Sequence, residues 1–264
     1  MKLGFIGCGN MAAAMIGGIT ANGICSAEDI LASDTYATAL EKAREQLQIR
    51  VSSDNRIVVN EADILFLAVK PQYYEAVINE IKDYIKDNQI IVTIAPGKTL
   101  TWLSETFGRS LKVIRCMPNT PALVGEGITG VCSNDLVTAK ELELVCGILR
   151  GFGKVEVLPE KLMDVVVAVS GSSPAYVFMF IEAMADAAVA DGMPRAQAYQ
   201  FAAQAVYGSA KMVLETGKHP GELKDMVCSP GGTTIEAVRV LEQKGFRSAV
   251  IEAMKACTNK SKGL

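Results

Sequence analysis

One histidine and one tryptophan among 264 residues remove several kinds of chemistry at the outset. A lone His219, followed by Pro220 and Gly221, builds neither a Ser-His-Asp triad nor a zinc cage. It reads as a turn or capping residue. Aromatic residues make up only 6%, no run of Lys or Arg occurs, and the formal net charge is −3. Together these argue against a nucleic-acid surface. The seven cysteines form no Cys-x-x-Cys pair, and their odd count leaves one over. Neither a disulfide framework nor a metal site is expected, and the thiols read as reduced and cytoplasmic.

Long uninterrupted hydrophobic runs are also missing, although two stretches imitate membrane signals. Met1 to Gly23 carries one lysine before an apolar run, but Gly4, Gly7, Gly9 and Asn10 interrupt it. Val165 to Ile181 is 17 uncharged residues, near the lower limit for a span, with Gly171-Ser172-Ser173-Pro174 in its middle. Both are expected to be buried structure of a soluble protein.

Half of the residues are hydrophobic, enough for two modest cores. The first part alternates short apolar runs with helical patterns, the mark of βα units on a parallel sheet. Strands are predicted at Lys2–Ile6, Ile30–Ser33, Ala62–Val69, Gln89–Ile94 and Lys112–Met117. Gly127–Cys132 and Lys154–Val157 are predicted edge strands. Helices are predicted at Asn10–Asn22, Thr38–Gln46, Gln72–Lys86, Leu100–Thr106 and Thr138–Leu149. After Val169 only helices are expected: Pro174–Ala190, Arg195–Thr216, Gly221–Met226, Thr234–Gln243 and Phe246–Lys255. Asn259–Leu264 reads as a frayed polar tail. The fold class is α/β, with a nucleotide-binding domain over 1–160 and an all-α domain over 161–264. The helix around "AYVFMFIEAMADAAVA" is apolar on nearly every face, as a helix buried all round would be. That predicts packing against a second copy, so the all-α domain is expected to be a dimerisation domain.

Gly7-x-Gly9-x-x-Ala12 joins the first strand to the first helix and opens a βαβ unit, the fingerprint of a Rossmann dinucleotide site. Gly7 permits a tight turn, Gly9 lets a pyrophosphate approach the backbone, and Ala12 lets helix lie close on strand. Ile6, Cys8, Asn10 and Met11 complete the candidate turn. At the end of the second strand, Asp34 would accept from a ribose 2′-OH and favour NAD. Ser33 and Thr35 would instead donate to a 2′-phosphate, with Arg50 or Arg56 in reach. Asp34 also suits a simple helix cap. Ligands of open α/β sheets bind at the carboxyl ends of the strands. That adds Ala68, Val69, Lys70 and Pro71 after the central strand, Ala95 and Gly97 after the next, and the segment from Arg115 to Pro121.

A second glycine-rich turn, Ser229-Pro230-Gly231-Gly232-Thr233-Thr234, opens a late helix, and "SGSSPAY" opens another. Either serves as an N-cap or as the seat of a small anion such as a carboxylate. At these residues the chain resembles the pyrroline-5-carboxylate reductase family. The likeness runs through "GFIGCGNMA", "LFLAVKP", "VIRCMPNTP", "SGSSPAY", "HPGELKDMVCSPGGTTI" and "LEQKGFRSAVIEA". It implies a Rossmann domain followed by an all-helical dimerisation domain that interlocks with a partner, and further assembly of dimers into a ring. It also implies NADPH or NADH as hydride donor, with NADP favoured, and 1-pyrroline-5-carboxylate as acceptor. Carried over by motif, Thr234 is the threonine whose hydroxyl meets the ring nitrogen, and Ser229, Gly231, Gly232 and Thr233 form the carboxylate cradle. Asn55 is a nucleotide contact, and Lys70 and Pro71 mark the cofactor-side strand end. Many members have Gly where Ser173 stands, and the residues after Ser33 differ from NADPH-preferring members. Two rivals stay open: another reductase on the same plan, such as a β-hydroxyacid dehydrogenase, and a non-enzymatic NAD(P)-binding sensor. The "SGSSPAYVFMFIEA" helix lacks the lysine that β-hydroxyacid dehydrogenases use.

Overall fold

The structure is a computed structural model that describes residues 1–263. Among these, short apolar runs assemble into one eight-stranded sheet. Its strands are β1 (Leu3–Ile6), β2 (Ile30–Ser33), β3 (Arg50–Ser52), β4 (Ile64–Leu67), β5 (Ile90–Thr93), β6 (Lys112–Met117), β7 (Gly127–Ser133) and β8 (Gly153–Val157). They lie in the order β3-β2-β1-β4-β5-β6-β7-β8. The first six run parallel, β7 turns antiparallel to β6, and β8 is parallel to β7. β1, β2, β4 and β5 are buried along their full length, as strands covered on both faces should be.

Side-chain alternation along these strands builds two cores, one on each face. Phe5, Ile64 and Phe66 enter the first, with Ile16, Ile19 and Phe152. Ile6, Leu65 and Leu67 enter the second, with Ile78 and Phe107. The covering helices are α1 (Asn10–Ala21), α2 (Ala37–Leu47), α3 (Asn55–Glu61), α4 (Tyr74–Ile81), α5 (Leu100–Phe107) and α6 (Ala139–Leu149). α1 buries Ala12, Met15, Ile16 and Ile19, so the apolar N-terminal stretch is core, as expected.

Four elements of the sheet unit depart from the sequence reading. β3 and α3 were not anticipated. β3 offers a single apolar residue, Val51, at a sheet margin, and the Ile57-Val58-Val59 run of α3 has strand-like composition overridden by packing and by the Asp54 cap. β7 is not an edge strand, because β8 pairs along it. The predicted Gln72–Lys86 helix is α4 with a 3₁₀ turn on either side.

The chain divides into two compact units, Met1–Ser172 with the C-terminal segment from Cys257, and Ser173–Ala256. In the first, α7 (Met163–Val166) runs into a π-helical turn, Val167–Gly171. There the Ser172 N–H donates to the Val167 carbonyl at 2.8 Å, so the expected interruption at Gly171–Pro174 is absorbed as one extra residue in a turn. The second unit holds α8 (Ser173–Ala190), α9 (Arg195–Thr216), α10 (Pro220–Val227), α11 (Thr233–Gln243) and the start of α12 (Phe246–Ser261). Within it only Ala185, Ala198, Ala202 and Leu223 are buried hydrophobics. Of Val165–Ile181, expected to be buried, the chain's own fold buries only Ala168. Glu160–Ala190 is long and apolar enough to cross a membrane on composition alone, and only 11% of its most apolar window is buried by the chain. The polar tail is not frayed as expected either. α12 continues to Ser261, whose hydroxyl donates to Asp164 at 2.6 Å. Leu264, the end of that predicted tail, lies outside the described residues.

Candidate active site

Strand order reverses across β1, whose neighbours are β2 on one side and β4 on the other. Ile6 pairs with Ser33 and with Leu67, so the carboxyl ends of three strands form one row at this switch point. The glycine-rich turn sits there. Gly7 has φ +107°, and a Cβ added to it would lie 2.7 Å from the Ala68 carbonyl oxygen. Its N–H donates to the Ser33 carbonyl at 2.7 Å, and the Ala68 N–H donates to the Ile6 carbonyl at 2.8 Å. The turn is thus pinned between β2 and β4. Gly9 is different: it is exposed, and an added Cβ would meet nothing within 4 Å. It stands at the N-cap of α1, where no side chain caps the helix. Uncapped N–H groups at Asn10 and Met11 therefore face open space, as an anion seat requires. Beside them Cys8, Gly9, Asn10, Ala13, Lys42 and Gln46 are among the residues lining a cavity of about 200 Å³. These residues fit the pyrophosphate of a dinucleotide.

The sequence reading missed how the turn is held. The Asp34 carboxylate accepts from the Cys8 N–H at 2.8 Å and from the Tyr36 N–H at 3.0 Å. Asp34 is therefore not the cap of α2, whose N-cap is Tyr36. Burial, aided by the Asp34 charge, pushes the Cys8 thiol up to about 12, so it is no nucleophile. Ser33, fully buried, donates to Asn55 Oδ1 at 2.7 Å, and Asn55 Nδ2 donates to Glu80 at 2.8 Å.

The next strand ends are braced by Tyr74, a residue that sequence reasoning gave no role. Its hydroxyl donates to the Leu67 carbonyl at 2.5 Å and accepts from Thr93 at 2.9 Å. That ties β4 to β5 just before Ala68-Val69 and Ala95. Lys70 is exposed and begins the 3₁₀ turn that Pro71 enters; Gly97 has φ +73° in the loop after β5. After β6, Asn119 is 7% exposed. Its amide donates to the Ser170 carbonyl at 3.1 Å and accepts from Ile128 N–H at 2.9 Å, fixing the Pro118–Pro121 segment. Arg115, 2% exposed, pairs with Glu160 at 3.0 Å, and the same carboxylate oxygen accepts from Leu100 N–H at 2.7 Å.

In the second unit, Gly231 takes φ +68° and Gly232 caps α11 with no side-chain cap bond. A Cβ added to Gly232 would lie 2.5 Å from Ser229 Oγ and 3.1 Å from the Ser229 carbonyl oxygen, so Ser229 would have to shift to admit it. The Gly232 N–H donates to the Ser229 carbonyl at 3.0 Å and so closes the turn. The N–H groups left for an anion are those of the first helical turn, Thr233 and Thr234 onward. Ser229, Gly231 and Thr233 are exposed, and Thr234 is half-buried. His219 caps α10, its Nδ1 accepting from Gly221 N–H at 3.0 Å, as its sequence context suggests.

A mostly parallel sheet with an uncapped glycine turn at its switch point is a dinucleotide-binding fold of the Rossmann type. Comparison with known proteins narrows this. Residues 2–97 match the family described as NADP oxidoreductase, coenzyme F420-dependent, and residues 160–264 match pyrroline-5-carboxylate reductase dimerisation. The chain is 56% identical to a pyrroline-5-carboxylate reductase of Escherichia coli, across 100% of this chain and 98% of that one. It is 44% identical to the enzyme of that name from Methanosarcina acetivorans, across 100% and 97%. The crystal structure of Plasmodium falciparum pyrroline carboxylate reductase with NADP bound superposes with a TM-score of 0.90 at 34% identity, covering 100% of this chain and 97% of that one. The chain belongs to the pyrroline-5-carboxylate reductase family. It is an NAD(P)H-dependent oxidoreductase acting on a C=N bond, and it self-associates.

Proposed function

We propose that this chain reduces 1-pyrroline-5-carboxylate to L-proline, the last step of proline synthesis, and that the uncapped N-terminus of α11 holds the substrate's carboxylate. The nicotinamide supplies the hydride. The chain's own residues bind, orient and hold charge. N–H groups of Thr233 and Thr234 donate to the carboxylate, and the Thr234 hydroxyl meets the ring nitrogen. An imine accepts hydride far better when protonated, and this ring nitrogen can take a proton from water near neutral pH. No strong general acid is then required, in keeping with a single histidine already used as a cap. What remains is placement, with donor and acceptor carbons about 3–3.5 Å apart. A helix terminus contributes about 0.3–1 kcal/mol to holding an anion. Hydrogen bonds to a charged group add about 1.5–3 kcal/mol each. The sum supports binding near millimolar, about −4 kcal/mol.

The observation that carries this reading is the Gly231-Gly232 turn, in which Gly231 takes φ +68° and α11 starts without a side-chain cap. The test is the initial rate of NADH and NADPH oxidation with the pyrroline, for wild type and Thr234→Ala. Turnover is expected to fall about 10- to 100-fold, the worth of one bond to a charged group, with cofactor affinity nearly intact. Unchanged kcat and KM would remove Thr234 from the role.

We assign residues 1–160 to cofactor binding and 161–264 to substrate binding and dimerisation, as functional domains. The dimer is intertwined and assembles further, with a decamer of five dimers as the expected form. The apolar, exposed faces of α8 and α9 support the dimer. A cytoplasmic setting accords with seven free thiols. No nucleic-acid or membrane partner is proposed.

A further inference from the structure

We infer that Asp34, backed by Glu80, makes this chain prefer NADH over NADPH. The inference rests on the proposed reductase function and adds the identity of the donor. The two cofactors differ only at the adenosine ribose, which carries a 2′-OH in one and a 2′-phosphate of about −1.5 to −2 charge in the other. In a sheet of this order that ribose lies at the carboxyl end of β2.

What stands there is acidic. The Asp34 carboxylate is fixed by the N–H groups of Cys8 and Tyr36, at 2.8 and 3.0 Å, so it cannot swing clear of the glycine turn without losing both. A carboxylate has about four acceptor sites, so a ribose hydroxyl can still donate to it. A 2′-phosphate can only be repelled. Behind β2, Glu80 holds Asn55, which in turn accepts from Ser33. A second negative charge therefore sits two hydrogen bonds from the end of the strand.

The cations a phosphate would need are elsewhere or engaged. No Lys or Arg occurs from Ser33 to Glu41. Arg56 holds Asp54 in a two-pronged pair at 2.9 and 2.8 Å, and Arg50 holds Glu61 at 2.7 and 2.9 Å. Both arginines that the sequence offered to a 2′-phosphate are thus committed to carboxylates. Lys42, eight residues beyond Asp34, lines the cavity with Gly9 and Asn10 and is the one cation among the described residues there.

The experiment is fluorescence titration of the full-length apoenzyme with NADH and with NADPH, alongside kcat/KM for each at saturating pyrroline. Wild type should favour NADH by roughly tenfold or more in both readouts. Asp34→Asn, which keeps the side chain's size, should improve NADPH about tenfold and weaken NADH several-fold, and Glu80→Gln should improve NADPH about threefold. Opposite movement for the two cofactors is a signature that mere damage to the fold would not give. Wild type binding NADPH as tightly as NADH, or Asp34→Asn weakening both alike, would overturn the inference and leave the reductase function standing. Tighter NADH binding without turnover of the pyrroline would do the reverse.

Discussion

Phe5 and Phe66 stack at 4.5 Å within the sheet unit, both fully buried, whereas Phe178 and Phe201 on α8 and α9 are 60% and 69% exposed. The same residue type plays two parts in one chain. In the first unit, period-two alternation sends apolar side chains to both faces of the sheet, and covering helices bury them. In the second, α11 and α12 bury nothing completely, and α8 buries only Ala185. A unit that leaves Met179, Leu214 and Ile251 more than 60% exposed has not finished folding its core by itself. Each such side chain is worth about 1.5–3 kcal/mol once buried. The sheet unit buries two cores of its own, and the helical unit leaves apolar faces that suit self-association.

Placing charge on the helical unit's apolar faces should produce the largest effect. Phe178→Asp with Phe201→Asp is expected to weaken self-association about a thousandfold, two anchors at roughly 2 kcal/mol each. Sedimentation should then report monomer, while NADH binding at the glycine turn persists. An unshifted oligomer would place the interface elsewhere. Within the sheet unit, the pair at Arg115 offers the next test. Glu160→Ala leaves a buried guanidinium unpaired and is expected to cost about 3 kcal/mol in urea unfolding. Replacing Arg115 by Met as well should recover most of that loss, and no recovery would mean that Arg115 matters by shape and not by charge. Gly7→Ala should cost about 2 kcal/mol, since φ is +107° and the new methyl group meets backbone that cannot move aside.

The smallest effect concerns acid stability. Its hydrogen bond to Lys112, with help from the Thr138 N–H and hydroxyl at the start of α6, holds the Glu141 carboxyl down at about 2, from an ordinary 4.5. Because the folded-state value is depressed, this contribution is complete above about pH 4.5 and disappears as pH falls toward 2. Unfolding midpoints for wild type and Glu141→Gln should therefore differ at pH 6 and converge only near pH 2. A constant difference would assign the effect to the capping geometry alone.

How legible each region was follows from the same contrast. The buried parallel strands and the glycine turn were readable because periodicity and a fixed motif spacing report local physics. β3 and α3 were not, because their identity comes from where they pack: one apolar residue makes β3, and a β-branched run was taken into a helix by its Asp54 cap. The carboxyl bond from Asp34 to Cys8 joins residues 26 apart in sequence, and Tyr74 reaches Thr93 across two strand ends. Only the fold brings these together. The π turn at Val167–Gly171 hid behind residues that ordinarily stop a helix. In the helical unit every long helix was legible, and the apolar faces of α8 already pointed to a second copy, although the residues that meet them were not legible.

Co-crystallisation of the full chain with L-proline and oxidised cofactor tests the central claim most directly. The proline carboxyl group is expected within hydrogen-bond distance of the Thr233 and Thr234 N–H groups, with the ring nitrogen at the Thr234 hydroxyl. Proline bound with its carboxyl group on some other part of the molecule, and the α11 N-terminus holding only water, would contradict it.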